Sequence, residues 1–364
     1  MPESRPTPAT AVILVSRLST LMALPAGRRG VRTLAIAGLS AALLLHLSVR
    51  AQPSGGTDAP SQLPEAARTS DPALAANDES AITPVDLDWV DTARSRPVPV
   101  RLYLPASASA ARPVPLVVFS HGIGGSRRGY SYLGRYWASQ GYASLHLQHV
   151  GSDRTLWSGN IFGLVGRLQG AAQDEEAMAR VADLRFALDQ VLAHAEFAPK
   201  LDAARIVAAG HSYGANTTLL AIGARPERNG RLVDLADPRL KAGIILSAPP
   251  FYGEGNTAKI LAGIKVPTLH ITATEDVIRI PGYYSGAEDR VAVYEATPGP
   301  RKFLAVFEGG SHSMFTDRAG TGGVALNPQV KTATRELGLA FMNSVFGREA
   351  EALATWPKRF AAIL

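Results

Sequence analysis

Hydrophobic positions change their period along the chain, and the changes mark out elements. Residues 85–90 alternate apolar and polar side chains, and residues 98–104 do so again after a turn-rich stretch. Two half-exposed strands in an antiparallel pair are predicted there. Residues 115–120 form a continuous apolar run, as a strand buried on both faces requires. Further strands are predicted at 142–148, 206–209, 242–246, 267–272 and 302–307. Helical spacing appears at 130–140, closed by Gly141, and most clearly at 174–195. There Met178, Val181, Leu184, Leu188 and Val191 or Leu192 fall on one side. Residues 215–224, 332–346 and 350–364 also read as helices, and 155–170 has no clear period. Strands alternating with helices predict an α/β chain: a mostly parallel sheet with helices on both faces and an antiparallel pair at one edge.

Composition narrows the class. The 364 residues are 46% hydrophobic, enough for a sizeable core. With no cysteine there is no disulfide, thiolate nucleophile or Cys-based metal site. The formal charge is +6, but residues 1–51 hold six arginines against Glu3, so the remainder is nearly neutral and predicts no nucleic-acid surface. Within that segment Arg28, Arg29 and Arg32 precede an apolar run at 34–49, and Val49-Arg50-Ala51 offers a small-residue cleavage site. This order predicts an export signal over 1–51, cleaved before Gln52, with no stable membrane span afterwards and a periplasmic or extracellular location. Translation from Met22 and an uncleaved anchor are the alternatives. Residues 52–82, rich in Pro, Ser, Ala, Gly and Asp, read as a disordered linker. The catalytic domain is expected over 83–347, with a helical extension at 348–364.

The chemistry gathers at predicted strand ends. Gly210-His211-Ser212-Tyr213-Gly214 stands between an apolar strand and an apolar helix. In that context G-x-S-x-G is a nucleophile elbow, with glycines where two backbones approach closely. A serine in this place could also be a plain helix cap. A hydroxyl nucleophile needs a base and an orienter. His312, in a Gly/Ser-rich loop after the last strand, is the candidate base. Asp276, after the preceding strand, is the candidate acid, with Glu275 beside it as an alternative. The strand before that runs into Leu246-Ser247-Ala248 without a carboxylate. The N–H groups of Tyr213 and of Ile123, in His121-Gly122-Ile123-Gly124, are the candidate oxyanion donors.

Ser120-His-Gly-Ile-Gly-Gly-Ser126, the 210–214 pentapeptide and Gly309-Gly-Ser-His312 resemble the α/β-hydrolase superfamily, whose triad order is likewise Ser, Asp, His. Tyr130-Ser-Tyr-Leu-Gly134, Trp137-Ala-Ser-Gln-Gly141 and His146-Leu-Gln-His149 are similar to a bacterial branch known as predicted dienelactone hydrolases, related to platelet-activating-factor acetylhydrolases. Across roughly 83–347 the resemblance implies an eight-stranded α/β-hydrolase fold and hydrolysis of carboxylic esters through an acyl-enzyme. True dienelactone hydrolases use a cysteine nucleophile, absent here. The acetylhydrolases place their acid after the strand that here ends at Ser247. Neither substrate therefore carries over.

The expected activity is that of a secreted serine esterase on short or medium acyl esters, without cofactor or metal. Its partner would be a small-molecule or lipid-like ester. Phe251, Tyr252 and Phe315 follow strand ends and are candidates to line the pocket, as is His149. Segments 151–173 and 279–300 are lid candidates. A serine peptidase or amidase on the same fold, and a non-catalytic binding protein that kept the fold, are the competing readings.

Overall fold

The computed structural model describes residues 13–14 and 78–364, except Asn229, Glu254 and Pro281. Most of the expected export signal lies outside the described residues, among which no helix is long and apolar enough to cross a membrane.

Eight strands build the main sheet: β1 (Val85–Asp91), β2 (Arg96–Tyr103), β3 (Val114–Ser120), β4 (Ala143–Leu147), β5 (Leu201–His211), β6 (Leu240–Leu246), β7 (Thr268–Glu275) and β8 (Lys302–Ser311). Their spatial order is β8-β7-β6-β5-β3-β4-β2-β1, and Ile13–Leu14 lies parallel beside β8. Every pairing from β8 to β4 is parallel; β2 runs antiparallel to both β4 and β1. The alternating polar pattern of β1 fits its place at the edge, and the unbroken apolar runs of β3 and β5 fit the centre.

The helices are α1 (Ser131–Ser139), α2 (Leu164–Ala171), α3 (Asp174–Ala193), α4 (Tyr213–Ala221), α5 (Thr257–Leu261), α6 (Ala287–Ala296), α7 (Leu326–Val345) and α8 (Ala350–Arg359). Successive residues of a strand point to opposite faces. Leu116 and Val118 of β3 therefore meet Val181, Leu184 and Leu188 of α3 on one side. Val117 and Phe119 join the core that holds Trp137 of α1 and Leu337 and Phe341 of α7 on the other. The C-terminal α8 belongs to that second core: Trp356 is buried, and its indole donates to the Ala333 carbonyl at 3.0 Å.

Three expectations change. Most of the linker expected over 52–82 lies outside the described residues, and its last part, 79–82, is packed on the body. Glu79 pairs with Arg335 at 2.7 Å, and Ile82 is buried near Tyr103 and Ala138. The unassigned stretch 155–170 holds a helical turn, Arg154–Trp157, and then α2. The lid candidate 279–300 has structure of its own: it holds most of a short hairpin (Ile278–Ile280 with Tyr283–Ser285) and then α6.

Two glycines test how tightly the centre is built. A Cβ on Gly214 would overlap the Ser120 carbonyl, whereas a Cβ on Gly166, exposed in α2, would meet nothing. Gly214→Ala should therefore cost at least ~3 kcal/mol of stability or prevent folding. Gly166→Ala should stabilise by about 0.5–1 kcal/mol through helix propensity. Urea denaturation of the two variants beside the parent measures both; equal effects would contradict the packing described.

Candidate active site

Strand register assembles the site. His211, the last residue of β5, is level with Leu246, the last of β6, and Glu275 of β7 is level with Ser311 of β8. The next residues, Ser212, Ser247, Asp276 and His312, therefore come together at one edge of the sheet. Ser212 turns sharply, with φ 56° and ψ −123°, a conformation that side chains rarely adopt. Its N–H is fixed by the Leu246 carbonyl at 2.9 Å. The turn needs Gly210 and Gly214, because a Cβ on Gly210 would run into the Gly214 backbone. Ser247 also has positive φ, 53°, and its N–H donates to the Ile271 carbonyl at 2.7 Å.

The structure brings Ser212, His312 and Asp276 into one row. Ser212 Oγ is 2.8 Å from His312 Nε2, and His312 Nδ1 is 2.7 Å from Asp276 Oδ1. Asp276 is fully buried. Burial alone would raise its pKa, but the His312 hydrogen bond and charge, Arg290 and Ser247 together hold it well below the usual carboxylate range. The ionised carboxylate makes Nδ1 the donor, so Nε2 is left to accept from the Ser212 hydroxyl. Asp276 Oδ2 further accepts from Ser247 Oγ and from Thr272 Oγ1, the latter at 2.8 Å. Glu275, the alternative acid, points outward and is exposed.

The candidate oxyanion groups lie on the same side. Gly122 N–H donates to the Tyr130 hydroxyl at 3.3 Å and Gly124 N–H to the Ser152 carbonyl at 2.8 Å. The Ile123 and Tyr213 N–H groups have no acceptor among the described residues. Ile123, Ser212 and Tyr213 all line one cavity of about 280 Å³. Phe251 and Tyr252 line it as well, as do Leu168 and Gln173 from one lid candidate and Ile280 and Tyr283 from the other.

Two pocket candidates are corrected. His149 does not reach the cavity: it is fully buried, with Nδ1 donating to Asp183 Oδ2 at 3.1 Å and Nε2 accepting from Ser120 Oγ at 3.0 Å. Arg94 and Arg96 hold Asp183 from the far side, at 2.9 and 2.8 Å. Phe315 is also fully buried, packed against Phe307 and His211 behind the site.

Other residues around the site escaped the sequence reading. Ser247 sits where the resemblance would place an acid, and its Oγ lies 2.8 Å from His312 Nδ1. His211 Nε2 donates to the His312 carbonyl at 3.0 Å, and its Nδ1 accepts from the Tyr130 hydroxyl at 2.8 Å. Arg290, almost fully buried, lies 3.5 Å from Asp276 Oδ1 and donates to the Gly286 carbonyl at 2.9 Å. Arg180 is completely buried; it donates to the His121 carbonyl, to Ser152 Oγ at 2.7 Å and to Thr217 Oγ1 at 2.9 Å. It thereby ties α3 to α4 and to the loop that carries Ile123. Its signal was present, since position 180 falls on the buried stripe of α3 with Val181 and Leu184. Nothing local distinguished Arg290.

These networks make the fold acid-sensitive. Burial pushes the imidazoles of His146, His211 and His270 down to about 3 and that of His149 to about 4, and it holds His121 well below the ordinary value of 6.5. Folded, these rings stay neutral; unfolded, they take up protons near pH 6.5. From about pH 6.5 down to about 4 the unfolded chain thus binds more protons, and stability falls as pH falls. Each ring contributes about 1.4 kcal/mol per pH unit once its unfolded form is charged. The urea midpoint should drop steeply from pH 6.5 to 5. His270→Gln, away from the row, should flatten that slope by roughly one proton. A midpoint constant over this range would contradict the assignment.

Comparison with known proteins agrees with the architecture. The family model described as platelet-activating factor acetylhydrolase, isoform II, matches residues 97–158, from β2 through the turn after β4. No curated protein matches the sequence. Among solved structures, a ferulic acid esterase from Streptomyces cinnamoneus is 22% identical, with a TM-score of 0.49, over 71% of this chain and 88% of its own. An acylaminoacyl peptidase in complex with Z-Gly-Gly-Phe-chloromethyl ketone is 17% identical, with a TM-score of 0.51, over 72% of this chain; the match spans 41% of that protein. Eight strands in this order, helices on both faces and the likeness to the acylaminoacyl peptidase make the fold that of an α/β-hydrolase.

Proposed function

We propose that the protein is a serine hydrolase that cleaves carboxylic esters of short or medium acyl chain. The observation that carries this reading is the hydrogen-bonded row Ser212–His312–Asp276, with Ser212 opening onto an apolar cavity. His312 Nε2 takes the Ser212 proton as Oγ attacks the ester carbonyl. The oxyanion that forms is held by the Ile123 and Tyr213 N–H groups, which have no other acceptor among the described residues to leave. Collapse expels the alcohol, which takes the proton back from His312. Water then attacks the acyl-enzyme by the same route in reverse and releases the acid. Asp276 keeps the imidazole oriented and balances its charge, and Ser247 holds the carboxylate in place. A cavity of about 280 Å³ is near the lower limit of ligand pockets and suits a small acyl or alkoxy group.

A fluorophosphonate probe should label the protein at Ser212, and p-nitrophenyl butyrate should be turned over. Ser212→Ala should lose on the order of 10³-fold or more in kcat/KM. Ser247→Ala should lose about tenfold in kcat with KM little changed, the effect of one hydrogen bond to a charged group. Full activity of Ser212→Ala would rule the mechanism out. Faster cleavage of peptide amides than of matched esters would favour the peptidase reading, and absence of both labelling and turnover the non-catalytic one.

We infer that the protein acts outside the cytoplasm, on the strength of the basic, apolar and small-residue order of residues 28–51. Protein recovered from expressing cells should begin at Gln52. A chain recovered from the cytoplasmic fraction with its first residue, Met1 or Met22, intact would overturn this.

A further inference from the structure

Helix α4 runs away from Ser212 along the cavity wall. Ser212, Asn216 and Leu220 stand four residues apart, so they share one face, and all three line the cavity. Tyr213, three residues before Asn216, lines it too. Much of the remaining wall is apolar, with Leu168, Val233, Leu235, Phe251 and Ile278, and the ion pair of Asp174 with Arg228 also lines it. Against that background α4 carries polar groups without partners. The Tyr213 hydroxyl and Asn216 Oδ1 are closed to solvent, and neither forms a hydrogen bond among the described residues. The other end of the Asn216 amide has no partner among the described residues either, and it is not shut off from the cavity as Oδ1 is.

An unpaired amide in an apolar wall destabilises a folded protein. Leucine at 216 would extend the face begun by Leu220 and remove that penalty. A polar group left unpaired beside a reacting centre is accounted for by a ligand that pairs it, and such a group then discriminates strongly against ligands that lack the partner. Its place along the helix limits where that partner sits. Four residues of helix rise about 6 Å, so Asn216 lies within a few bonds of a carbonyl held at Ser212. Leu220 and the apolar wall lie beyond it.

We propose that Asn216, through the end of its amide that is open to the cavity, recognises an oxygen substituent on the substrate. The substrate class is an ester with a hydroxyl or oxo group on a carbon near the scissile carbonyl, and hydrocarbon further out. This rests on the esterase reading above. The oxygen can belong to the acyl chain or to the alcohol, and the two are separable by experiment.

The test is a ratio of kcat/KM values within each enzyme. In one arm the p-nitrophenyl ester of 3-hydroxybutyrate is compared with that of butyrate. In the other, a hydroxyalkyl butyrate is compared with the matching alkyl butyrate. The parent should favour the oxygenated ester by about tenfold or more in one arm, which identifies the side that fills the cavity. Asn216→Leu should bring that ratio close to one. Asn216→Ala, which removes the amide without adding bulk, should lower it in the same direction and serves if Asn216→Leu fails to fold. Ratios near one in both arms for the parent, or a preference that survives in both variants, would overturn this inference while leaving the esterase reading intact. Absence of turnover of every ester, together with no fluorophosphonate labelling, would overturn the esterase reading itself.

Discussion

The close approach of three backbones around Gly210 and Gly214 is the constraint on which the rest of the structure depends. The carbonyl of Ser120 at the end of β3 occupies the space a side chain at 214 would need, and the Gly214 backbone occupies the space a side chain at 210 would need. Only this proximity lets the chain leave β5, turn through Ser212 at φ 56° and enter α4 within a few residues. The strained conformation persists because the parallel pairings on both sides of β5, to β3 and β6, hold its ends. The same proximity sets the loop after β3 beside the first turn of α4, where Ile123 and Tyr213, whose N–H groups have no acceptor among the described residues, line one cavity.

Buried polar networks hold the strand ends in this arrangement. Asp183, His149 and Ser120 repeat the residue types of the Ser212 row, but all three are sealed from solvent, and two arginines fix the carboxylate. Their effect is mechanical: they bind α3, β3, β4 and the turn between β1 and β2 together. Arg180 extends the network to α4. On the other side, Tyr130 and His211 link the Gly122 N–H to the His312 carbonyl, so the loop after β3 and the loop after β8 are positioned by one chain of hydrogen bonds. In an interior of low dielectric such a network is rigid when fully paired and costly when broken. That cost is why the histidines within it stay neutral.

The cavity is where local rules end. Its walls come from α2, α3, α4, the loops after β3 and β6, the segment 226–235 and the hairpin at 278–285. Helix α2 carries two glycines and α6 sits among glycines and a proline, so neither had a period strong enough to be recognised. Helix α2 packs against Leu156 of the helical turn after β4, and α6 lies along β7 with Val293 in the core. His149 and Phe315 follow strand ends, as Phe251 and Tyr252 do, yet they turn into the core. A sequence position after a strand says which edge a residue occupies and leaves open which way its side chain faces.

Much of the fold was legible from short-range chemistry. Period two against period 3.6 separates strands from helices, continuous apolar runs mark the central strands, and glycines flanking a serine mark a turn that only glycine permits. The order of Ser212, Asp276 and His312 and their places after three strands are likewise properties of the chain itself. What only tertiary structure decided is everything that depends on register and on contacts between distant segments. The levels at which β5, β6, β7 and β8 end bring residues 212, 247, 276 and 312 into contact. That alignment lets Asp276 rather than Glu275 face the imidazole, puts Ser247 where an acid might have stood, and brings Arg290 from α6 behind the carboxylate. Hydrogen bonds and buried charges act over a few ångströms in space whatever the separation along the chain, so no local pattern could have announced them.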